Sequence, residues 1–413
     1  MNIKMQRGKK MISYFEALKI INKKIKELNK IEERNIIEAD KYICAENIYA
    51  DINLPSFNKS IRDGFAVKTN QIKLNQKYKI IGDISAGSKI EKIKKPLENQ
   101  AYTIMTGAEI PSWADAVIQF EDAIINNEFV IFKKLPEKNQ FIIRKGSYIK
   151  ENQLLIKKGT EINKFNIYSI LSAGKTRIKV NKKPEISLII TGDEIVEITK
   201  KPINSQVRDI NSFLLKFLIK QNNLKLKYFK REKDNKENIK NSILKGLESS
   251  EIILVVGGVS MGKYDFVHIV IKELCKEILF HKIFIKPGKP IIIGKYKEDK
   301  IIIGIPGNPL ASLVNFEIII KPLIKKMSGY KEINPNFCYA KLLEEYKKTD
   351  DRLEFVPSIF FSKDNENYLK PINFIDSGDV ISITKANSIG IFEGRKNSII
   401  KKEKKIKLIY SGE

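Results

Sequence analysis

The sequence predicts an α/β plus β protein of several domains, and three observations carry that prediction. Continuous apolar runs alternate with helical patterns over residues 183–330, the rhythm of a doubly wound α/β domain. Residues 52–150 instead carry short alternating apolar runs broken regularly by Gly, Pro and Asn, which reads as a small β-rich module. From residue 338 the chain returns to short strand-like runs, a small C-terminal β domain. A chain of 413 residues has room for roughly three such domains.

Taken in order, the first helix is expected around residues 13–30, where Ile12, Phe15, Leu18 and the run from Ile21 to Ile25 have helical spacing and Ser13 is a candidate cap. Asn181-Lys182-Lys183-Pro184 reads as a linker. Beyond it, Glu185–Thr191 is a continuous apolar run suited to a buried parallel strand. Residues Arg208–Gln221 place Ile210, Phe213, Leu214, Phe217 and Leu218 on one helical face. Ile252–Val256 is a second buried strand, ended by Gly257-Gly258, and Asp265–Cys275 reads as a helix. Ile301–Ile305 is a third strand, followed by Pro306-Gly307-Asn308-Pro309 and a long amphipathic helix to about Lys326.

Composition removes several classes of function. The three cysteines, Cys44, Cys275 and Cys338, are widely separated, so neighbours form neither a disulfide framework nor a CxxC metal pair. With only His268 and His281, a histidine-rich zinc site or a histidine-based triad is disfavoured, and acid–base work falls to carboxylates, lysines or bound water. The formal charge is +26, which admits nucleic acid, a membrane or strongly anionic substrates as partners. Lysine and isoleucine dominate throughout, however, and no block matches an RNA-binding signature or a helix-turn-helix. The charge therefore reads as solvated surface, without nucleic acid or membrane as partner. Apolar runs such as Ile301–Ile305 are too short to span a bilayer, and no apolar stretch of leader length follows the basic start, so the cytoplasm is the expected setting.

In an open α/β sheet, ligands bind where the carboxyl ends of the strands lead into helices. This gathers four segments: Thr191-Gly192-Asp193-Glu194, Gly257-Gly258-Val259-Ser260-Met261-Gly262, Lys286-Pro287-Gly288-Lys289-Pro290 and Pro306-Gly307-Asn308-Pro309. Any one of them reads most simply as a tight turn. Four glycine-bearing loops at one sheet edge, with two lysines, read as an anion-binding pocket, because glycine lets backbone N–H groups approach an anion closely. Ser260 is a candidate donor, Lys286 and Lys289 candidate charge partners, and Glu194 and Asp265 candidate Mg²⁺ ligands. Neither a P-loop nor a G-x-G-x-x-G fingerprint is present, which disfavours ordinary ATPase and NAD readings. Earlier in the chain, Asp63-Gly64 has the composition of a hairpin turn, and Thr106 precedes the Gly107 turn; nothing in spacing brings either near the α/β pocket.

The segments SIRDGFAV, TIMTGAEIP, ITGDEIV, GGVSMGKYDFV, IKPGKPIIIGK and IPGNPLASLVNF occur in this order. In that order and over nearly the whole chain, the sequence resembles the molybdopterin molybdenumtransferases, bacterial relatives of the gephyrin E domain. The resemblance implies an elongated homodimer: an N-terminal region over 1–182 with a β-rich insertion at about 53–140, a molybdopterin-binding α/β domain over 183–330, and a C-terminal β domain over 338–413. It implies an active site between the α/β domain of one subunit and the N-terminal region of the other. The implied substrates are adenylylated molybdopterin and molybdate, with Mg²⁺ assisting and AMP released; a contact with the adenylyltransferase that makes the substrate is a further expectation. By the same resemblance Asp63, Thr106, Glu194, Asp265 and Asp234 are catalytic, Asp63 and Glu194 lying near the metal. Gly257, Gly258, Ser260, Gly262, Lys286, Lys289, Pro306, Gly307, Asn308, Pro309, Arg352 and Ser377 line the substrate.

Two places depart from the family pattern. An arginine pair before Gly-Glu-Asp is here Ile143-Arg144-Lys145-Gly146-Ser147-Tyr148, and Pro357 stands where a second arginine often follows the one matched by Arg352. Three other readings share these motifs. A molybdopterin adenylyltransferase has the same α/β domain but lacks the long N-terminal half. A scaffold would bind adenylylated molybdopterin without releasing AMP, and a paralogue would serve tungsten. The intact set Asp63, Thr106, Glu194 and Asp265 favours the enzyme.

Overall fold

The computed structural model describes residues 11–259, 262, 265–373 and 379–410. The chain forms two compact units, one of Met1–Glu33, Lys41–Ala45 and Lys179–Glu413, the other of Arg34–Asp40 and Glu46–Ile178.

In the first unit, helix α1 (Tyr14–Lys24) begins at Ser13, whose hydroxyl accepts the Glu16 N–H while the Glu16 carboxylate accepts the Ser13 N–H. That reciprocal capping box fixes the start the sequence suggested. The helix is shorter than expected, because Ile25 is already extended. Tyr14, Ala17, Leu18 and Ile21 pack into the core of the α/β domain, so this first segment belongs with chain that follows much later in sequence.

That domain is a six-stranded sheet built from β1 (Ile186–Thr191), α2 (Ile210–Gln221), β2 (Leu226–Glu232), α3 (Lys236–Ser249), β3 (Ile252–Val256), α4 (Val267–Leu274), β4 (Glu277–His281), β5 (Ile292–Lys297), β6 (Lys300–Ile305) and α5 (Pro309–Asn315). The strand order is β2-β1-β3-β6-β5-β4. The first four strands run parallel, and β5 and β4 complete the sheet antiparallel. Alternation along β3 separates the two faces: Ile252, Leu254 and Val256 face α1, α2 and α5, whereas Ile253 and Val255 face α3 and α4. Burial on both sides is why these strands read as unbroken apolar runs.

Two expectations change in detail. The helix after Pro309 is not regular: a π-helical turn, Phe316–Ile320, lies between α5 and α6 (Lys321–Met327). Pro322 accounts for it, because proline has no N–H and its ring collides with the carbonyl four residues back. The buried face of α2 is Leu215, Leu218 and Ile219 with Asn211 and Ser212; Ile210, Phe213 and Phe217, expected inward, are exposed. The aromatic periodicity pointed to the wrong side because both sides of this helix are apolar.

The C-terminal part closes into a five-stranded barrel of β7 (Phe337–Leu342), β8 (Leu353–Lys363), β9 (Glu366–Pro371), β10 (Ser388–Phe392) and β11 (Lys405–Tyr410). The ring runs β8-β9-β7-β11-β10 and returns to β8. Leu342, Leu369, Phe392 and Leu408 fill it. A two-residue strand of the α/β domain, Ile285–Lys286, extends this sheet beside Leu353 and Glu354.

The second unit holds another six-stranded sheet, in spatial order Ala116–Gln119, Gly64–Val67, Gln100–Ile104, Lys77–Ile84, Phe129–Phe132 and Ala123–Asn126. Phe65 and Ala66, adjacent in sequence, enter different apolar clusters on its two faces. Among the described residues no helix is long and apolar enough to cross a membrane.

The burial of α2 is testable. Leu215→Ala should lower the unfolding free energy by about 2–5 kcal/mol in urea melts, the usual cost of emptying a fully buried leucine site. An unchanged midpoint would return the core face to Phe213 and Phe217.

Candidate functional site

Because β1, β2, β3 and β6 run parallel, their carboxyl ends Thr191, Glu232, Val256 and Ile305 share one edge, and the loops that follow them lie together. Gly257 shows how closely. Its φ is +99°, and a Cβ there would lie 2.5 Å from the Thr191 carbonyl oxygen, so only glycine lets the β3 loop pass the end of β1. The Pro306-Gly307-Asn308-Pro309 loop is held from both sides. Asn211 Nδ2 donates to the Gly307 carbonyl at 2.6 Å, and Asn308 Oδ1 accepts the Ala311 N–H at 3.2 Å to cap α5, where Pro309 opens the first turn. The Lys286–Pro290 loop is tied to the same helix through Asn315 Nδ2, which donates to the Gly288 carbonyl at 3.3 Å. The described parts of these loops are thus held by backbone and amide contacts. Ser260 and Ser377 lie outside the described residues.

The acidic residues fall into different situations. Glu194 and Asp193 are exposed on the loop after β1. Asp234, on the loop after β2, has its carboxyl pushed up by burial and then by the charges of Glu194 and Asp193. Asp193 and Glu194 therefore act on Asp234 as like charges, partly offset by hydrogen bonds to its carboxylate from the Asp193 backbone and the Thr191 hydroxyl. Asp265 does something more local: its Oδ2 accepts the Gly262 N–H at 2.8 Å and closes the turn before α4. Behind the acidic loops, Asp209 caps α2 through the Ser212 N–H and accepts Arg231 Nε at 2.7 Å, fully buried at its carboxylate end.

Around Lys286 the picture is cationic. The Lys286 ammonium donates to Thr349 Oγ1 at 2.7 Å. Arg352, expected to bind substrate, already holds Asp350 in a two-point pair, Nε to Oδ1 at 2.7 Å and Nη2 to Oδ2 at 2.5 Å. That guanidinium keeps the Asp350 carboxyl far below the usual carboxylate range. The remaining Nη1 donates to the Ile285 carbonyl at 3.3 Å, so Arg352 braces the strand that carries Lys286. Sequence reasoning missed Asp350, Thr349 and Glu354; the Asp-x-Arg spacing at 350–352 was the one signal present.

In the second unit, strand pairing brings two distant motifs together. Gly64 pairs with Ile104 and with Gln119, which sets Asp63 beside Thr106. The Asp63 carboxylate accepts the Thr106 N–H at 2.6 Å, and this backbone hydrogen bond, with a second from the Thr106 hydroxyl, holds the Asp63 carboxyl low. Gly64 is a strand residue rather than the turn its Asp-Gly composition suggested. A Cβ there would fall 2.0 Å from the Ile118 carbonyl oxygen, so close strand approach is what requires glycine. Asp63 and Thr106 belong to one unit, and Glu194, Asp234, Asp265, Lys286, Lys289 and Arg352 to the other.

The two histidines of the chain stack on each other, rings 5.9 Å apart and 17° from parallel. Burial, with Lys272 and Lys282 nearby, pushes the His281 imidazole down to about 4; burial also lowers His268. The folded state thus holds His281 neutral while the unfolded chain protonates it near 6.5. Its contribution is present above pH 6.5 and is lost as pH falls toward 4. Between pH 7 and 4.5 the protein should lose on the order of 1–2 kcal/mol more stability than His281→Gln, after allowance for solvent screening of a half-buried ring. Parallel pH–stability curves would rule this out.

Asp234 has the opposite sign. Its raised carboxyl favours the protonated form, so its stabilising contribution exists at low pH and disappears as pH rises through the folded value. Asp234→Asn should raise the Tm at pH 7 in EDTA, and the gain should shrink on acidification. An equal Tm for the two proteins at pH 7 would mean that Glu194 and Asp193 exert no net repulsion there.

Comparison with known proteins agrees with this geometry. The family described as MoeA N-terminal region (domain I and II) matches residues 12–174, and the one described as probable molybdopterin binding domain matches residues 187–326. Molybdopterin molybdenumtransferase of Staphylococcus epidermidis is 32% identical over 392 residues, 93% of this chain and 92% of that protein. The Staphylococcus aureus protein of the same name is 31% identical over 362 residues, 86% and 85% of the two chains. The crystal structure of the molybdopterin biosynthesis MoeA protein from Pyrococcus horikosii superposes with a TM-score of 0.79 at 28% identity, covering 98% of this chain and 100% of that one. Similarity of this degree, sustained along nearly the whole of both sequences, is that of one family, and the chain belongs to the molybdopterin molybdenumtransferases.

Proposed function

We propose that this chain, a transferase of molybdenum cofactor biosynthesis, inserts molybdenum from molybdate into adenylylated molybdopterin and releases AMP. The observation that carries the reading is the shared edge of β1, β2, β3 and β6. There glycine loops and a helix start meet a lysine-bearing loop on one side and a carboxylate group on the other. Such an edge suits a substrate with a pyrophosphate and an oxyanion, since backbone N–H groups and the start of α5 favour negative charge.

Mg²⁺ fits the donor set in a specific way. Among the described residues no three carboxylate, histidine or cysteine side chains form a ready-made cage. The Asp234 carboxyl, pushed up by burial and then by the charges of Glu194 and Asp193, supports a cation beside it. Mg²⁺ is commonly held by one or two carboxylates together with substrate phosphates, and when bound it would polarise the phosphoryl oxygen that leaves with AMP. Glu194 and Asp234 would hold it in this unit. Lys286 and Lys289 would neutralise the oxyanion, and the Gly257-Gly258 and Gly307 backbone would bind the phosphates.

Asp63 belongs to the proposal as an acid supplied by the other chain of a homodimer. The exposed apolar side of α2, with Ile210, Phe213 and Phe217, supports a covered surface on this unit. Its hydrogen bond from Thr106 holds the Asp63 carboxylate ionised and fixed, as a residue near a metal and the breaking bond must be. The cytoplasmic setting and a contact with the adenylyltransferase that supplies the substrate complete the reading.

The test is AMP release by the purified protein given adenylylated molybdopterin and Mg²⁺, with and without molybdate. Molybdate should stimulate release, and Asp63→Ala should reduce it by roughly two to three orders of magnitude, the scale of losing a charged group that acts at the reacting centre. Binding of the substrate without molybdate-stimulated release would instead favour a scaffold.

A further inference from the structure

We propose that Thr349 and Glu354 are positioning residues that aim the Lys286 ammonium at the oxyanion substrate, acting through a buried ion pair in the C-terminal barrel. The inference rests on the reading of Lys286 as an anion-binding lysine, and it adds how that lysine is held.

Lys286 and Glu354 are register partners where the two-residue strand joins β8. The connection between their side chains is Thr349. Its N–H donates to Glu354 Oε1 at 3.2 Å, and its hydroxyl donates to the same oxygen. A hydroxyl whose proton is committed to a carboxylate turns its lone pairs outward, and one of these accepts the Lys286 ammonium at 2.7 Å. Lys286 Nζ itself stays 3.9 Å from Glu354 Oε1. Glu354 thereby fixes the direction of the hydroxyl, and the hydroxyl fixes the lysine.

The second carboxylate oxygen is anchored just as fully. Oε2 accepts Tyr346 OH at 3.2 Å and lies 3.5 Å from Lys348 Nζ. Lys348 donates onward to the Arg352 carbonyl at 2.6 Å and the Phe392 carbonyl at 3.0 Å. The Lys348 and Glu354 side chains are 0% and 2% exposed. Burying two charges in a small, mostly apolar barrel gains little stability, since desolvation offsets most of the attraction. Glu354 Oε2 compensates the buried Lys348, and Oε1 is left for Thr349. Besides compensating Lys348, the acid holds Thr349, which an apolar residue could not do.

Charge balance points the same way. The cluster contains Lys286, Lys348 and Arg352 against Asp350 and Glu354, three cations and two anions. Lys348 and Arg352 are matched by their partners, which leaves one surplus positive charge on Lys286, the member whose head reaches solvent. A lysine stem is flexible, and tethering it before substrate arrives removes ordering cost from the binding step.

Thr349→Val is the decisive variant, because Thr349 is exposed and the change leaves the Lys348–Glu354 pair intact. In molybdate-dependent AMP release it should raise the KM for molybdate roughly tenfold, the scale of one charge-assisted hydrogen bond, while kcat stays within about twofold. Thr349→Ser should restore the wild-type KM. Lys286→Ala should raise the KM at least as far, and adding Thr349→Val to it should change nothing more, as expected if one residue acts through the other. Glu354→Gln should reproduce the KM effect and also lower the Tm by leaving Lys348 poorly compensated. A Thr349→Val KM within about twofold of wild type beside a raised Lys286→Ala KM, or additive effects in the double variant, overturns the proposal and leaves the proposed function standing. Wild-type protein without molybdate-stimulated release overturns the function and this inference with it.

Discussion

The parallel alignment of β1 between β2 and β3 is the constraint on which the rest of the first unit depends. Parallel strands must be joined by crossovers, so every strand in the group delivers its carboxyl end to one edge and its helix to a face. The edge then becomes crowded. A Cβ on Gly257 would lie 2.5 Å from the Thr191 carbonyl oxygen, whereas one on Gly307 would meet only ordinary contact, 3.8 Å from the Gly257 Cα. Glycine is the solution to crowding first, and an opening for anions follows from it. Backbone N–H groups that no side chain shields are the by-product of loops forced together.

Polar groups around this edge serve mainly to hold loops still. Asn211, Asn308 and Asn315 each spend an amide on a neighbouring backbone group, and Asp209 and Arg231 neutralise each other below. Charge that is not spent in this way is segregated. Carboxylates collect after β1 and β2, where Asp234 feels Glu194 and Asp193, and the surplus cation collects on the Lys286 loop. On the proposed reading, the acidic side of a site divided like this would meet a phosphate through a divalent cation facing both. The overall charge of +26 plays little part in that argument, because most of it lies on lysines spread through the whole sequence.

Much of this was legible in the sequence where local chemistry and tertiary structure agree. The runs at Ile186–Thr191, Ile252–Val256 and Lys300–Ile305 are continuous because helices cover both faces, and Ser13 and Glu16 stand three positions apart, as a capping box needs. Legibility failed where two local signals compete or where partners are far apart in sequence. Helix α2 has apolar residues on two sides, and only the packed structure decides that Leu215, Leu218 and Ile219 go inward. Asp63-Gly64 has hairpin composition, yet the glycine is demanded by Ile118, more than fifty residues later. Packing of α1 on a domain that starts near residue 183 leaves no trace in periodicity at all. Glu354 and Lys348 were invisible for another reason: charged residues in a strand-like run read as its solvent face, and burial of a pair reverses that reading.

The departures from the family pattern take on meaning against these contacts. Around Gly146 the backbone requires glycine, with φ at +71° and Asn53 so close that a Cβ would strike it; Arg144 donates to Asn139, and the Lys59 ammonium lies over the Tyr148 ring. The loop is retained as a structural element and carries no acidic pair. Pro357 is a buried residue of β8 opposite Ile389, three positions beyond Glu354. With proline there, the guanidinium of Arg352 is committed to Asp350. On the proposed reading, the burden of attracting an oxyanion to the barrel side of the site rests on Lys286. A single flexible ammonium is a weak and imprecise anion ligand unless something directs it, and the buried acid two side chains away is placed to supply that direction.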